Sequence, residues 1–182
     1  GPLGDGCLEI LRAGRRVYGQ EGSDFRIARD PSMGTDITGD GIPDLVVREW
    51  TSGAHCCEII TVLQIGDEFR RICAVEGLDA SAIGKFQDLD GDSIPELVTA
   101  DQSFLYGLDG YANAPTPRIV LKFEDGGYAF APELTRAPAP GEEALAARAR
   151  AIRGSEDWKN GGTPRDLGFG VFELLYTGHA AL

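Results

Sequence analysis

No apolar run in this chain approaches the eighteen or so residues that a membrane-crossing helix needs. Basic residues are scarce: 17 Lys and Arg stand against 29 Asp and Glu, a formal charge of −12. Such a surface repels phosphate backbones and anionic lipid, so neither nucleic acid nor bare membrane is an expected partner unless cations intervene. Cysteine is limited to Cys7, Cys56, Cys57 and Cys73, an even set with no C-x-x-C spacing. That argues for a disulfide framework in an oxidising compartment rather than a zinc ribbon or a thioredoxin-like motif. Assembled catalytic signatures are missing too: there is no G-x-S-x-G elbow, P-loop, dinucleotide fingerprint or H-E-x-x-H. No signal peptide is visible, and Gly1-Pro2-Leu3-Gly4 reads as the remnant of a protease-cleaved tag, set aside in fold reasoning.

What is present suits one loop-rich globular domain. The 182 residues are 42% hydrophobic and include 25 glycines and 10 prolines, a composition with many turns and enough apolar surface for a sizeable core. Short apolar stretches at Leu8 to Leu11, Arg16 to Tyr18 and Phe25 to Ile27 are broken by Ala13-Gly14 and Glu21-Gly22, which predicts short strands and turns. Leu45 to Trp50 and Glu58 to Ile65 are rich in β-branched residues, and Gly66-Asp67 turns the chain into Phe69 to Val75. A second unit begins at Leu97 to Phe104 and continues at Arg118 to Glu124, with Ile119, Leu121 and Phe123 on one face and Arg118, Lys122 and Glu124 on the other. Asp125-Gly126-Gly127 then makes a hairpin into Tyr128 to Phe130.

After Pro138 the texture changes. Glu142 to Arg153 is alanine-rich, acidic in its first turn and basic in its last, and meets Gly154, which predicts a helix. A second helix is expected after Thr163-Pro164, with Thr163 as the cap, Pro164 at the first helical position, Asp166 three residues after the cap, and a stop at Gly178.

An internal repeat stands out above everything else. Asp36 to Val46 (DITGDGIPDLV) and Asp88 to Val98 (DLDGDSIPELV) share seven identities in eleven positions, 52 residues apart, and each leads into an expected strand. Calcium takes six to eight oxygens, and wrapped calcium loops supply them from alternate positions, the seventh being a main-chain carbonyl. In the first copy Asp36, Thr38, Asp40 and Asp44 offer side-chain oxygen and Ile42 its carbonyl; in the second Asp88, Asp90, Asp92 and Glu96 do so with Ile94. Gly39, Gly41 and Gly91 let the chain wrap a small ion, and Pro43 and Pro95 hold the preceding isoleucines extended. Magnesium, which demands near-octahedral geometry and retains its water, suits such a loop less well. Because the second side-chain set carries four formal charges and the first three, charge predicts tighter binding at the second loop.

An EF-hand would continue into a helix with Glu at position 12, whereas Val47 and Thr99 stand there inside β-branched runs. With a strand at their exit, the loops resemble those of FG-GAP and VCBS-type repeats, as in integrin α chains and many secreted bacterial proteins. The resemblance covers about two dozen residues directly and about 110 as blade-like units. It implies two calcium ions bound at sheet edges by the residues named above. Ser93 departs from the pattern, which has glycine there.

The fold expected is therefore mainly β, with antiparallel blade-like sheets carrying two calcium loops and one or two C-terminal helices packed on them. Residues 5–137 would hold the repeats, at about 33–80 and 85–132, and 138–182 would form a helical cover of the same domain. The function expected is a calcium-stabilised, secreted or periplasmic interaction module, monomeric by default, whose partner is a protein or a glycan. Two alternatives stand beside it. A hydrolase or hydrolase-associated domain acting on cell-wall or polysaccharide material would need paired carboxylates, for which Asp67 with Glu68 and Glu142 with Glu143 are the nearest candidates. A redox or soft-metal site would use His55, Cys56 and Cys57, residues otherwise read as a loop histidine and cysteines in disulfides with Cys7 or Cys73. Asp101, Tyr106, Asp109 and Tyr111 form a polar, aromatic stretch suited to a recognition surface.

Overall fold

Periodicity in the sequence resolves into ten strands and four helices among the residues that the computed structural model describes, 6–52, 58–78, 84–105 and 114–181. Strands β1 (Gly6–Arg12) and β2 (Arg15–Gly22) form a hairpin. Its turn places Ala13 and Gly14 at φ 50° and 79°, the paired left-handed conformation that matches strand twist. Strands β3 (Asp24–Ile27), β4 (Asp44–Trp50), β5 (Glu58–Ile65) and β6 (Phe69–Leu78) then form one sheet in chain order. Strands β7 (Lys85–Gln87), β8 (Glu96–Ala100), β9 (Arg118–Glu124) and β10 (Gly127–Phe130) form another in the same order. The protein is mainly β, and the 52-residue sequence repeat corresponds to a repeated four-stranded sheet in which each acidic loop lies between the first and second strands.

Burial follows from how these sheets are covered. In β4 and β5 the pairs Val46 with Val62 and Leu45 with Leu63 lie on opposite faces of the pleat, yet all four are buried. On one face Val46, Ile60 and Val62 pack with Phe86 and Leu97 of the second sheet, and with Ile37 of the first acidic loop. On the other, Leu45, Val47 and Leu63 pack against Leu8, Ile10 and Tyr18 of the β1–β2 hairpin and Phe25 and Phe69. Ile37, Ile60, Leu63 and Leu97 are fully excluded from solvent, each contributing about 1.5–3 kcal/mol. Leu45 and Leu97 are equivalent in the repeat. The face bearing Leu45 is covered by the hairpin, while the corresponding face of the second sheet, bearing Leu97, covers the first sheet. The sheets thus stack in one sense.

The chain divides into two compact units, one of residues 1–99 with 121–130, the other of 100–120 with 131–182. The second contains helices α1 (Pro132–Thr135), α2 (Glu142–Gly154), α3 (Glu156–Lys159) and α4 (Arg165–Tyr176). The buried Thr135 hydroxyl accepts from the Val120 N–H and donates to the Ala131 carbonyl, each at 3.0 Å. Phe172 of α4 lies against Phe104 with ring centroids 4.2 Å apart, and an Arg148–Glu173 ion pair of 2.8 Å ties α2 to α4. No helix among the described residues is long and apolar enough to cross a membrane.

Several local expectations are corrected. The break before β3 falls at Ser23 rather than Glu21-Gly22; β2 continues to Gly22, where the buried Glu49 carboxylate accepts from Gln20 Nε2 (3.1 Å) and from the Ser23 N–H (3.2 Å). Phe104 is not in a strand. β8 stops at Ala100, where Asp101 Oδ1 accepts the Ser103 N–H at 2.8 Å and starts a turn. Thr163 does not cap α4; Pro164, at ψ 138°, is the cap residue and the helix starts at Arg165. Nor does α2 stop on a left-handed Gly154. Ser155 ends it, donating to the Ile152 carbonyl (2.7 Å) while its oxygen accepts from the Trp158 N–H (3.2 Å) and so caps α3.

Candidate functional site

The two acidic loops have one backbone design. Asp36 at position 1 accepts the N–H groups of Gly39 and Gly41, both at 2.7 Å, and Asp88 accepts those of Gly91 at 2.7 Å and Ser93 at 3.1 Å. Gly39 and Gly91 adopt φ of 78° and 83°, and Gly41 and Ser93 adopt 82° and 71°. Ser93 therefore keeps the glycine conformation that its position demands, at a cost of about 1–2 kcal/mol. At position 5, Asp40 Oδ1 accepts the Ile42 N–H (2.9 Å) and Asp92 Oδ1 accepts the Ile94 N–H (2.8 Å), which fixes the peptides whose isoleucines stand at position 7.

Position 9 is the first residue of the following strand and is buried in both copies. Asp44 Oδ2 accepts from the Ile37 N–H (2.9 Å), the Thr38 N–H (3.2 Å) and the Thr38 hydroxyl (3.1 Å). Glu96 Oε2 accepts the Leu89 N–H at 2.9 Å. The second oxygen of each, Asp44 Oδ1 and Glu96 Oε1, is buried and among the described residues has no hydrogen-bond donor, on residues only 1% exposed. An orphaned carboxylate oxygen is costly in an interior and is normally matched by a donor or a cation. Burial raises the Asp44 pKa against the lowering effect of the Ile37 and Thr38 donors, with Asp36 adding to the rise. Both position-9 charges also bear on the buried Tyr128 hydroxyl, whose pKa is raised chiefly by burial and which likewise has no hydrogen-bond partner among the described residues.

The copies differ in what touches the position-5 carboxylate. In the first loop it is an amide: Gln64 of β5, paired with Asp44 across the sheet, donates Nε2 to Asp40 Oδ2 and accepts from Arg70 Nε at 2.8 Å. In the second it is an ammonium: Lys122 of β9 bonds Asp90 Oδ2 and reaches Asp92 Oδ2 at 3.0 Å and Glu96 Oε1 at 3.8 Å. Asp88, Asp90 and Glu96 each bring one oxygen within 4.8 Å of the others, a group able to hold a metal ion. Asp92 is held below the usual carboxylate range by the Ile94 N–H first and by Lys122 second, and the same hydrogen bonds to Asp90 and Asp92 raise Lys122. The sequence pattern puts Lys122 on one face of its strand with Arg118 and Glu124. Its side chain is 24% exposed and turns into the loop, since three carboxylates attract it there.

All ten residues expected from the spacing, Asp36, Thr38, Asp40, Ile42 and Asp44 with Asp88, Asp90, Asp92, Ile94 and Glu96, thus lie in two equivalent loops. Gln64 and Lys122 were missed. Their signal is positional, since each comes from the third strand of its sheet, next to the strand that opens with position 9.

The alternatives gain no assembled site among the described residues. In the second unit a cavity of about 350 Å³, lined by Pro115, Pro117, Arg118, Phe169, Phe172 and Tyr176 among others, offers Glu173 as a carboxylate, and that group is paired with Arg148. Asp67 and Glu68 are exposed beside a turn, and Glu142 and Glu143 are exposed in the first turn of α2. His55, Cys56 and Cys57 lie outside the described residues, as do Tyr106, Asp109 and Tyr111. Asp101 is bonded by the Tyr176 hydroxyl. Cys7 and Cys73 carry free thiols, and burial pushes Cys73 up to about 11.

No protein-family model matches the chain, and no solved structure does. It is similar to "Uncharacterized protein y4bJ" of Sinorhizobium fredii (strain NBRC 101917 / NGR234), at 31% identity over 84 residues, which is 45% of this chain. The match spans 13% of that protein's length.

Proposed function

We propose that this chain is a calcium-binding, β-rich interaction module of a secreted or periplasmic protein, in which calcium stabilises the fold and the partner is a protein or a glycan. The observation that carries the reading is the buried carboxylate oxygen that receives no hydrogen bond at the ninth position of each wrapped acidic loop, Asp44 Oδ1 and Glu96 Oε1. The donor set is all oxygen, carboxylates with a hydroxyl and main-chain carbonyls, which is what a hard cation requires. Asp36, Thr38, Asp40 and Asp44 with the Ile42 carbonyl would hold one ion, and Asp88, Asp90, Asp92 and Glu96 with the Ile94 carbonyl the other. The stacking of two equivalent sheets supports the likeness to FG-GAP and VCBS-type repeats. A wrapped all-oxygen calcium loop suits the millimolar calcium of an extracellular or periplasmic setting.

Calorimetric titration and thermal melting with calcium, magnesium and chelator test this reading. At a dissociation constant of ~0.1 mM, calcium at ~1 mM stabilises the fold by about 1.4 kcal/mol per site. Magnesium should do less. A melting temperature that ignores calcium and chelator alike would remove the reading.

A further inference from the structure

The second loop already contains a cation. Lys122 Nζ bonds Asp90 Oδ2, stands 3.0 Å from Asp92 Oδ2 and faces Glu96 Oε1 at 3.8 Å, so it engages two and neighbours a third of the four carboxylates that the loop would offer a metal. Calcium binds at about 2.3–2.6 Å from its oxygens, so it would have to sit inside the same ring of carboxylates, too close to an ammonium for both to remain. Among the described residues the first loop has no such occupant; the equivalent contact, to Asp40 Oδ2, comes from the neutral Gln64 amide. We propose that the second loop is a lysine-exchange site, in which Lys122 serves as a tethered counterion and calcium binds only by displacing it, whereas the first loop takes calcium directly.

This rests on the calcium reading above and deepens it. It also reverses the ranking that carboxylate count alone gives: with Lys122 in place the second loop carries the same net side-chain charge as the first, and Glu96 Oε1 is left 3.8 Å from the ammonium, beyond hydrogen-bond reach. The loop stays together without metal because its lysine keeps the carboxylates from repelling one another. Binding of calcium there would release the Lys122 side chain from β9 toward solvent, so the two loops would fill at different calcium concentrations.

The test is calcium titration of the full 182-residue chain as wild type, Asp40→Ala, Lys122→Gln and the double variant, with metal counted by native mass spectrometry. Wild type should fill one site ahead of the other, and Asp40→Ala should remove the tighter. Lys122→Gln should tighten the remaining site by about tenfold or more, in the double variant as well, as expected for removing a like charge from the ring. Should Lys122→Gln fold poorly without calcium, acetylation of wild-type lysines gives a second readout. Reactivity at Lys122 should rise severalfold when both sites are filled, while Lys85 and Lys159, outside the loop, stay constant. Unchanged affinity at the second site in Lys122→Gln, or unchanged Lys122 reactivity at two bound calcium ions, would overturn the exchange and leave the calcium reading standing. A single ion in both wild type and Lys122→Gln would do the same. No calcium in any variant would overturn both.

Discussion

Side by side, the loops at Asp36–Asp44 and Asp88–Glu96 share their turns, their N–H ladder and a buried closing carboxylate, yet hold the fifth-position carboxylate by different means. Gln64 in one and Lys122 in the other come from the same strand of the repeated sheet. A single side chain on a neighbouring strand therefore distinguishes two loops whose own residues are nearly the same. The lesson is that a metal loop's character is set in part by what the sheet places beside it, and that counting its carboxylates omits that term.

The strongest way to break the equivalence is through the fourth-position glycines. Both are left-handed, but a side chain at Gly39 would collide with Ile94 of the other loop, while nothing lies within 4 Å of the corresponding position at Gly91. Gly39→Ala should lose about 2–4 kcal/mol in urea unfolding, from backbone strain plus displacement of Ile94, and Gly91→Ala about 1–2 kcal/mol from strain alone. Equal losses would mean that the contact between the loops contributes nothing.

The position-1 carboxylates sharpen the comparison at a smaller scale. Asp36→Ala and Asp88→Ala each release two loop N–H groups and should cost similar amounts in chelator. At ~1 mM calcium they should part: Asp36→Ala loses most of the metal-dependent stabilisation, about 1.4 kcal/mol, and Asp88→Ala keeps it. Thermal melts with and without calcium read this directly. The reverse order would restore carboxylate count as the deciding factor.

The smallest effect is one of pH. Asp44 has a folded pKa above its ordinary value of 3.8, so in metal-free protein its ionised form costs stability. That cost is absent below 3.8 and grows as pH rises through the raised folded value. Calcium-free wild type and Asp44→Asn should therefore melt nearly together at the acid end, with wild type falling behind as pH rises toward neutrality. Asp92 has the opposite sign: its folded pKa is lowered, so its contribution is present above 3.8 and disappears as pH falls. If Asp44→Asn loses stability at neutral pH instead, the Asp44 charge is already compensated by a group other than metal.

Much of this was legible because it is local. The repeat identified ten loop residues, β-branched runs placed β4 and β5, and alternation placed β9, since all these signals depend on neighbours in sequence. What escaped is what the sheets bring together. Alternation along β9 says only which side Lys122 takes, not that three carboxylates wait on that side. β7 is too short at three residues to show a period, and the run through Gly22 depends on Glu49 from another strand. The 100–120 segment falls in the compact unit that contains the helices, a grouping that depends on contacts distant in sequence.

Order of synthesis gives the discontinuous first unit a further meaning. Residues 1–99 leave the ribosome before the strand that completes the second sheet, and Lys122 follows Asp92 by 30 residues. For that interval the Asp88–Glu96 loop exists with four acids and no counterion of its own. A chain that meets calcium during this window meets a different loop from the one a finished molecule presents. Shortening the protein after Thr99 would make that unfinished loop permanent.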